Sequence, residues 1–183
     1  MSFDSDGSGN GSGAISAGLK KIGEILMDRA LVTSSDIAKA LAFQEQFGGR
    51  LGAILVRLGA LSEDALLPAL SDQLSIPVLD SSEWPASSEA IRQLLVSTPY
   101  STSWWVENEV AAWRLGDDQQ ARILVAGIDP LNPSVNEALE RVFSGQVWEW
   151  RLVQSQPHSR LLDMVRSSAV TYTHLTLPTI TAV

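Results

Sequence analysis

Residues 50–73 read RLGAILVRLGALSEDALLPALSDQ, and residues 21–44 read KIGEILMDRALVTSSDIAKALAFQ. Aligned without a gap, the two stretches share six identical residues among 24. Each begins with a cation, an apolar residue and a glycine, and each ends with a glutamine. The chain therefore carries two copies of one structural unit at a fixed period. We call residues 21–44 copy one and residues 50–73 copy two.

Each copy is predicted to form two short helices. Leu51, Ile54, Leu55 and Leu58 fall at the i, i+3, i+4, i+7 spacing of one helical face, and copy one repeats most of this pattern from Ile22 onward. The second helix of each copy keeps two apolar residues and the final glutamine on one face. The periodicity alone is typical of two helical hairpins whose apolar stripes form a core.

Residue types at the helix ends support these boundaries. Gly59 suits the left-handed backbone that closes a helix, and Ala30 holds the same place in copy one, where a positive φ costs about 1 kcal/mol. Thr33 and Ser62 are predicted to cap the second helices, and Asp36 completes a capping box with Thr33. Pro68 is expected to kink the second helix of copy two or to remove one of its hydrogen bonds.

Composition excludes several classes of protein. The 183 residues are 45% hydrophobic and 19% charged, which favours a globular fold, and there is no cysteine for a disulfide, a thiolate metal site or a nucleophile. The net charge of −8 argues against a nonspecific nucleic-acid binder. No signal peptide or membrane-spanning run is visible, and no GxxxxGK[ST] phosphate loop occurs. We therefore expect a cytoplasmic protein that is not an enzyme and needs no metal.

The chain is predicted to comprise four segments with an α+β fold. A disordered tail (1–14), rich in Ser and Gly, precedes a helical repeat subdomain (15–80) of two hairpins, and a small mixed α/β subdomain follows (81–168). Residues 169–183 are rich in Thr and carry no charge apart from a histidine, so we interpret them as a non-native tail. The alternative for that tail is a C-terminal strand.

The α/β subdomain is predicted from caps, turns and strand patterns. Ser87 or Ser88 caps a helix that runs through Val96, and Asn132 caps a helix that reaches Phe143. Strands are predicted within residues 103–115 (two strands joined at Asn108), 121–127 and 146–154, and a last helix over residues 157–166. A turn is predicted at residues 116–118.

The aromatic residues and histidines of this half are interpreted conservatively. Trp104, Trp105, Trp113, Trp148 and Trp150 are expected to belong mainly to a core or interface, and an exposed Trp148–Trp150 stripe would instead indicate a partner surface. His158 is expected to be a surface or cap residue, and Asp129 to lie in a turn.

The doubled pattern RLGxxLxxxGxxxxxxLxxxLxxQ resembles the N-terminal domain of type II secretion and type IV pilus assembly ATPases, the GspE/MshE N-terminal family. Copy two fits it at every specified position, whereas copy one has Lys21, Ile22, Ala30 and Ile37 in place of Arg, Leu, Gly and Leu. The runs LSIPVLD (74–80) and VAGIDPLNP (125–133) also resemble that family. Together the resemblance covers roughly residues 19–166.

This resemblance implies a site for cyclic di-GMP, with one half of the dinucleotide bound by each copy. An arginine fork matches guanine O6 and N7, leucines flank purine and ribose, glycine permits close approach, and glutamine offers a donor and an acceptor. Lys21 lacks the planar fork, so the first half-site is expected to be weaker. The implied ligand residues are Lys21, Ile22, Gly23, Ile37, Leu41 and Gln44 in copy one, and Arg50, Leu51, Gly52, Leu66, Leu70 and Gln73 in copy two.

Two functions follow from the resemblance. The first is a cyclic di-GMP sensor that biases a downstream ATPase or other effector domain. The second is an adaptor that links such an ATPase to an inner-membrane platform protein through protein surfaces alone, without nucleotide. Both imply a cytoplasmic domain, peripheral to the inner membrane only through a partner, and neither implies nucleic-acid binding.

Overall fold

The computed structural model describes residues 20–116 and 121–169. The chain divides into two compact units, Met1–Ala69 and Leu70–Val183. The tail predicted at 1–14, nearly all of the tail predicted at 169–183 and most of the turn at 116–118 lie outside the described residues. The predicted subdomain limits at residues 15, 80 and 168 remain predictions.

The first unit contains the helices that the repeat predicts. Copy one forms α1 (Ile22–Asp28) and α2 (Ser34–Phe47), and copy two forms α3 (Leu51–Arg57) and α4 (Glu63–Leu74), whose last residues belong to the second unit. Helix α3 packs against both α1 and α2. The core of this unit consists of residues from both copies and their loops: Leu26, Val32, Ala40, Ile54, Leu55, Leu61, Leu66, Leu67 and Ala69.

The predicted caps are confirmed. The Asp36 backbone N–H donates to Thr33 Oγ1 over 3.2 Å, and the Thr33 N–H donates to the Asp36 carboxylate over 2.9 Å. The hydrogen bond from the Thr33 hydroxyl lowers the pKa of Asp36. In copy two, the N–H of Ala65 donates to Ser62 Oγ over 3.3 Å. These local contacts explain why α2 and α4 begin where they do.

The turns after α1 and α3 use the same left-handed backbone. Ala30 has φ of 53° and Gly59 has φ of 71°, as the alignment of the copies predicts. A Cβ atom added to Gly59 would meet no atom within 4 Å, so substitutions there change backbone energy without a steric clash. The two positions therefore form a reciprocal pair for measuring the cost of positive φ.

We expect Ala30→Gly to raise the free energy of unfolding by about 0.5–1 kcal/mol, because glycine removes the Cβ strain of the left-handed backbone. Gly59→Ala should lower it by a similar amount. Urea unfolding followed by circular dichroism measures both. A stabilising Gly59→Ala, or a destabilising Ala30→Gly, would contradict the account.

The second unit is built on a mixed three-stranded sheet. Strands β1 (Val110–Leu115) and β2 (Arg122–Gly127) are antiparallel, and β2 is parallel to β3 (Trp148–Leu152). Helix α7 (Pro133–Val142) connects the parallel pair. Val78 forms an isolated parallel bridge with Leu152. This arrangement confirms the predicted α+β class with a small mixed sheet.

Three further helices surround the sheet. Helices α5 (Ser88–Leu95) and α8 (Ser155–Ala169) contact β1 and each other, and α6 (Thr102–Glu107) contacts α8 and β1. Ser87 caps α5 and Asn132 caps α7, as predicted. Leu131 donates its backbone N–H to Asp129 Oδ1 over 3.2 Å, which confirms the turn at Asp129.

The prediction of two strands within residues 103–115 is wrong in its first half. Residues 102–107 form helix α6, and only Val110–Leu115 is a strand. Ser101 Oγ accepts the Trp104 N–H over 3.3 Å, and the Asn108 side-chain amide donates to the Trp104 carbonyl over 2.8 Å. These two caps, with packing on α8 and β1, outweigh the strand propensity of the aromatic residues.

The prediction for His158 is also wrong. Its side chain is buried, and Nε2 lies 2.8 Å from the carbonyl oxygen of Glu109. Helix α8 begins at Ser155, two residues earlier than predicted. Within it, His158 stands at the i, i+3, i+4, i+7 spacing with three buried apolar residues, Leu161, Leu162 and Val165. The histidine therefore shares the buried face of the helix.

The tryptophans are core residues, as predicted. Trp105 and Trp113 are fully buried, and Trp104, Trp148 and Trp150 are partly buried against the same core. The Trp150 indole N–H donates to Asn136 Oδ1 over 2.9 Å. A largely exposed Trp148–Trp150 stripe is not present.

Candidate ligand-binding site

The two cations that begin the copies occupy equivalent structural positions. Lys21 immediately precedes α1 with φ of −66° and ψ of 146°, and Arg50 immediately precedes α3 with φ of −90° and ψ of 135°. Both residues are exposed. Each thus stands in extended backbone directly before a seven-residue helix. The two cations that align in the sequence therefore also have equivalent positions in the structure.

The glycines at the third position of each copy permit close side-chain packing. Both Gly23 and Gly52 are buried. A Cβ atom on Gly52 would lie 2.9 Å from Leu66 Cδ1, and one on Gly23 would lie 3.2 Å from Leu51 Cδ2. In the structure, the two glycines thus allow leucine side chains to pack closely against the helix backbone. Since Leu51 belongs to copy two and Gly23 to copy one, this contact joins the two copies.

Three of the six implied apolar ligand residues lie against the two buried glycines. Ile37 Cδ1 lies 3.5 Å from the Cβ position of Gly23, so Ile37 and Leu51 cover the same glycine. Leu66 covers Gly52 and is buried. Leu41 is 47% exposed, which leaves a large apolar side chain of copy one available at the surface.

Three further implied residues lie on helices α1 and α4. Ile22 is half-buried in the first turn of α1. Leu70 and Gln73 are half-buried on α4, one and two turns beyond Leu66, and they belong to the second compact unit. Their roles remain predictions from the repeat.

The glutamine that ends copy one contacts the spacer between the copies. Gln44 Nε2 donates to the carbonyl oxygen of Gly49 over 2.6 Å. Gly49 is the residue that directly precedes Arg50. The sequence predicts Gln44 as a ligand residue and does not predict this contact with Gly49.

The charge around the two cations differs. The backbone N–H of Lys21 donates to the Glu24 carboxylate over 3.1 Å, whereas the corresponding residue of copy two is Ala53. Next to Lys21, Lys20 Nζ pairs with Asp28 over 2.7 Å, and this hydrogen bond raises the pKa of Lys20. At this aligned position copy one therefore has a carboxylate where copy two has alanine, and a carboxylate disfavours a bound anion nearby.

A buried ionic cluster in the second unit escaped sequence reasoning. Arg151 is almost fully buried and donates to both carboxylate oxygens of Glu83, over 2.9 and 2.8 Å. Arg151 also contacts Glu149 over 2.9 Å, and Glu83 contacts Arg122 over 3.3 Å. The Glu83 carbonyl accepts the Trp113 indole N–H over 2.9 Å. Glu83 thereby joins its 3₁₀ turn (Ser81–Glu83) to all three strands.

Within the described residues, no group of histidine, aspartate and glutamate side chains is arranged to hold a metal ion. The helices among those residues also include none with the length and hydrophobicity needed to cross a membrane.

Residues 74–171 match the family model described as the MshEN domain, which is more than half of the chain. The chain belongs to the MshEN domain family. The matched segment begins after Gln73, so it covers neither cation of the candidate site. The recognition of the GspE/MshE N-terminal family from sequence is confirmed.

Solved structures share this fold. The chain is similar to a structure of MshE with cdg (cyclic di-GMP), with a TM-score of 0.64 and 28% identity, over 81% of this chain and 99% of that one. It also resembles the N-terminal domain of XpsE, with a TM-score of 0.55 and 19% identity, over 78% of this chain and 92% of that one. The second likeness shows the fold alone.

Curated relatives are much longer proteins. A type IV pilus assembly ATPase PilB of Thermus thermophilus is 41% identical over 66 residues, which are 36% of this chain and 7% of that protein. PilB of Myxococcus xanthus is 29% identical over 72 residues, 39% of this chain and 13% of that protein. These similarities support a regulatory or docking domain of a secretion or pilus ATPase.

Proposed function

We propose that this chain is a regulatory domain that binds cyclic di-GMP through its two repeated hairpins. The observation that carries the proposal is the structural equivalence of Lys21 and Arg50, each directly before a helix and each followed by a buried glycine. A ligand with two identical halves fits a protein surface with two equivalent halves. The structure of MshE with cyclic di-GMP, 28% identical to this chain, supports the same ligand.

In this proposal the cations recognise guanine. Arg50 offers parallel N–H donors to guanine O6 and N7, and Lys21 offers a single charged donor to the other guanine or to a phosphate. Ile22 and the exposed Leu41 contribute apolar surface for base and ribose in copy one, and the half-buried Leu51 does so where the copies meet. Further proposed contacts come from Ile37, Leu66, Leu70 and Gln73, with Gly23 and Gly52 holding the helices close.

The wider role is proposed from the relatives. A domain that changes its packing when it binds a ligand shifts an attached effector only if the ligand prefers one of two states. We propose that the effector is an assembly ATPase like the PilB relatives. The domain itself is proposed to catalyse no reaction and to act in the cytoplasm, reaching the inner membrane through a platform protein.

Calorimetric titration of the full 183-residue chain with cyclic di-GMP tests the proposal. We expect saturable binding of one dinucleotide, and markedly weaker binding of cyclic di-AMP, because adenine lacks the O6 acceptor that pairs with arginine. Cyclic di-AMP has the same backbone and charge, so it isolates base recognition. A flat titration of folded protein at tens of micromolar, or equal binding of both dinucleotides, would refute guanine-specific binding.

The docking alternative is favoured by one surface feature. Ile128 and Leu131 are 44% and 50% exposed on the loop after β2. That loop is braced, because the Asn136 side-chain amide donates to the Pro130 carbonyl over 2.8 Å and Trp150 donates to Asn136. Capture of an inner-membrane platform protein that survives Arg50→Ala but is lost in Ile128→Ser/Leu131→Ser would support an adaptor without nucleotide.

A further inference from the structure

The five-residue spacer between the two copies (residues 45–49) ends in a two-glycine turn that Gln44 contacts. Gly48 has φ of 70° and Gly49 has φ of 101°, both in the left-handed region. The backbone carbonyl of Gln44 accepts the Gly48 N–H over 2.8 Å, and its side-chain amide donates to the Gly49 carbonyl over 2.6 Å. One residue therefore contacts both glycines of the turn.

This contact acts on the peptide bond that leads into Arg50. The Gly49 carbonyl and the Arg50 N–H belong to the same planar peptide unit, so fixing one fixes the other. On the other side, the Arg50 carbonyl accepts the Ile54 N–H over 3.0 Å in the first turn of α3. Arg50 thus lies between a regular helix and a glycine turn whose free chain has unusually high entropy.

We propose that Gln44 is a positioning residue for Arg50, acting through the Gly49 peptide rather than on the ligand. The inference rests on the proposed function, in which Arg50 recognises guanine. A bidentate contact depends on the direction of the guanidinium, so a brace that orders the preceding peptide increases affinity without touching the ligand.

The sequence itself makes this role specific to copy one. Six residues after Gln44 stands the cation of the next copy, whereas six residues after Gln73 stands Leu79. A glutamine at the end of copy two has no following cation to orient. Of the two glutamines that align, only Gln44 is therefore proposed to position a cation.

Gln44→Met tests the brace, because methionine keeps the length and helix propensity of glutamine and lacks the amide donor. Gln46→Met is the matched control, since Gln46 is an exposed glutamine on the same helix. The ¹⁵N order parameters of Gly49 and Arg50 are measured without ligand. We expect them to fall from about 0.85 to below about 0.6 in Gln44→Met only. Unchanged values would overturn the brace whether or not the protein binds the dinucleotide.

A double-mutant cycle then separates positioning from direct contact. In wild-type background, Gln44→Met is expected to weaken cyclic di-GMP binding by about 3- to 10-fold. In an Arg50→Lys background, where no planar fork needs orienting, it should weaken binding less than about 2-fold. Equal factors in both backgrounds would show that Gln44 contacts the ligand and would overturn the inference. No binding by the wild-type chain would instead refute the proposed function, while the order parameters still decide the brace.

Discussion

Replacing Arg50 by lysine is expected to weaken the binding of cyclic di-GMP by about 10- to 100-fold, and replacing Lys21 by arginine to tighten it by a similar factor. A bidentate arginine–guanine contact is worth about 1–3 kcal/mol, and lysine keeps the charge while losing the second donor. The two substitutions exchange the same chemical groups at positions with the same backbone setting. Calorimetric titration of each variant measures the change.

The gain from Lys21→Arg should be somewhat smaller than the loss from Arg50→Lys. Glu24 holds a carboxylate 3.1 Å from the Lys21 backbone nitrogen, and its counterpart in copy two is Ala53. That carboxylate competes for the introduced guanidinium and repels the ligand phosphates. Adding Glu24→Ala to Lys21→Arg is therefore expected to tighten binding further.

Arg57→Lys is the control, because it makes the same change from arginine to lysine at a position outside the repeated motif. Arg57 is an exposed cation of α3 that lies over the Phe43 ring, 6.0 Å from its centroid, and it belongs to neither motif position. Its replacement should leave affinity within about 2-fold, as expected for a charge outside the site. The proposed assignment fails if Arg57→Lys weakens binding as much as Arg50→Lys, or if Lys21→Arg has no effect in a chain that binds.

Local chemistry explains which parts of the fold the sequence could predict. The 29-residue repeat, the Thr33–Asp36 capping box and the positive φ of Ala30 depend on residues within a few positions of each other. Their outcome can therefore be read along the chain. Helix α6 is not predicted by the sequence pattern, because tryptophan and valine favour strands. Its caps are the side chains of one serine and one asparagine, and the helix also packs against α8.

The candidate site was predictable in its residue types and not in its contacts. Aligning the copies identified Lys21 and Arg50 as equivalent, because the same structural unit repeats. The contact between Leu51 and Gly23, and that between Gln44 and Gly49, required the helices to be placed in space. The Glu83–Arg151 pair joins residues 68 positions apart, and no periodic pattern indicates such a pair.

Replacing Glu83 by glutamine is expected to lower the free energy of unfolding by about 3 kcal/mol near neutral pH. The substitution removes the carboxylate that accepts two hydrogen bonds from the almost fully buried Arg151 guanidinium. Glu149 and the Trp150 carbonyl still contact Arg151 in this variant. The expected loss of stability is therefore at the lower end of the range of about 3–5 kcal/mol for breaking a buried ion pair. Urea unfolding monitored by tryptophan fluorescence measures the change.

An exposed ion pair provides the matched control. Glu137 and Arg141 form an i, i+4 pair over 2.8 Å on α7, with side chains 73% and 70% exposed. Glu137→Gln makes the same chemical change and should alter stability by less than about 0.5 kcal/mol. Equal effects of Glu83→Gln and Glu137→Gln would show that the buried cluster contributes no more than a surface pair.

The difference between wild type and Glu83→Gln is also expected to depend on pH in one direction. The hydrogen bond from Arg151 holds the pKa of Glu83 below its ordinary value of 4.5. Above about pH 5 the carboxylate is ionised in both the folded and the unfolded chain, so its contribution to stability is complete. As pH falls below 4.5, the unfolded chain takes up the proton first, and the contribution is lost as pH passes through the lowered pKa of the folded state. Because glutamine does not titrate, the unfolding free energies of wild type and Glu83→Gln should converge in acid. A difference between them that stays constant down to pH 3 would show that the ionised carboxylate is not what stabilises Arg151.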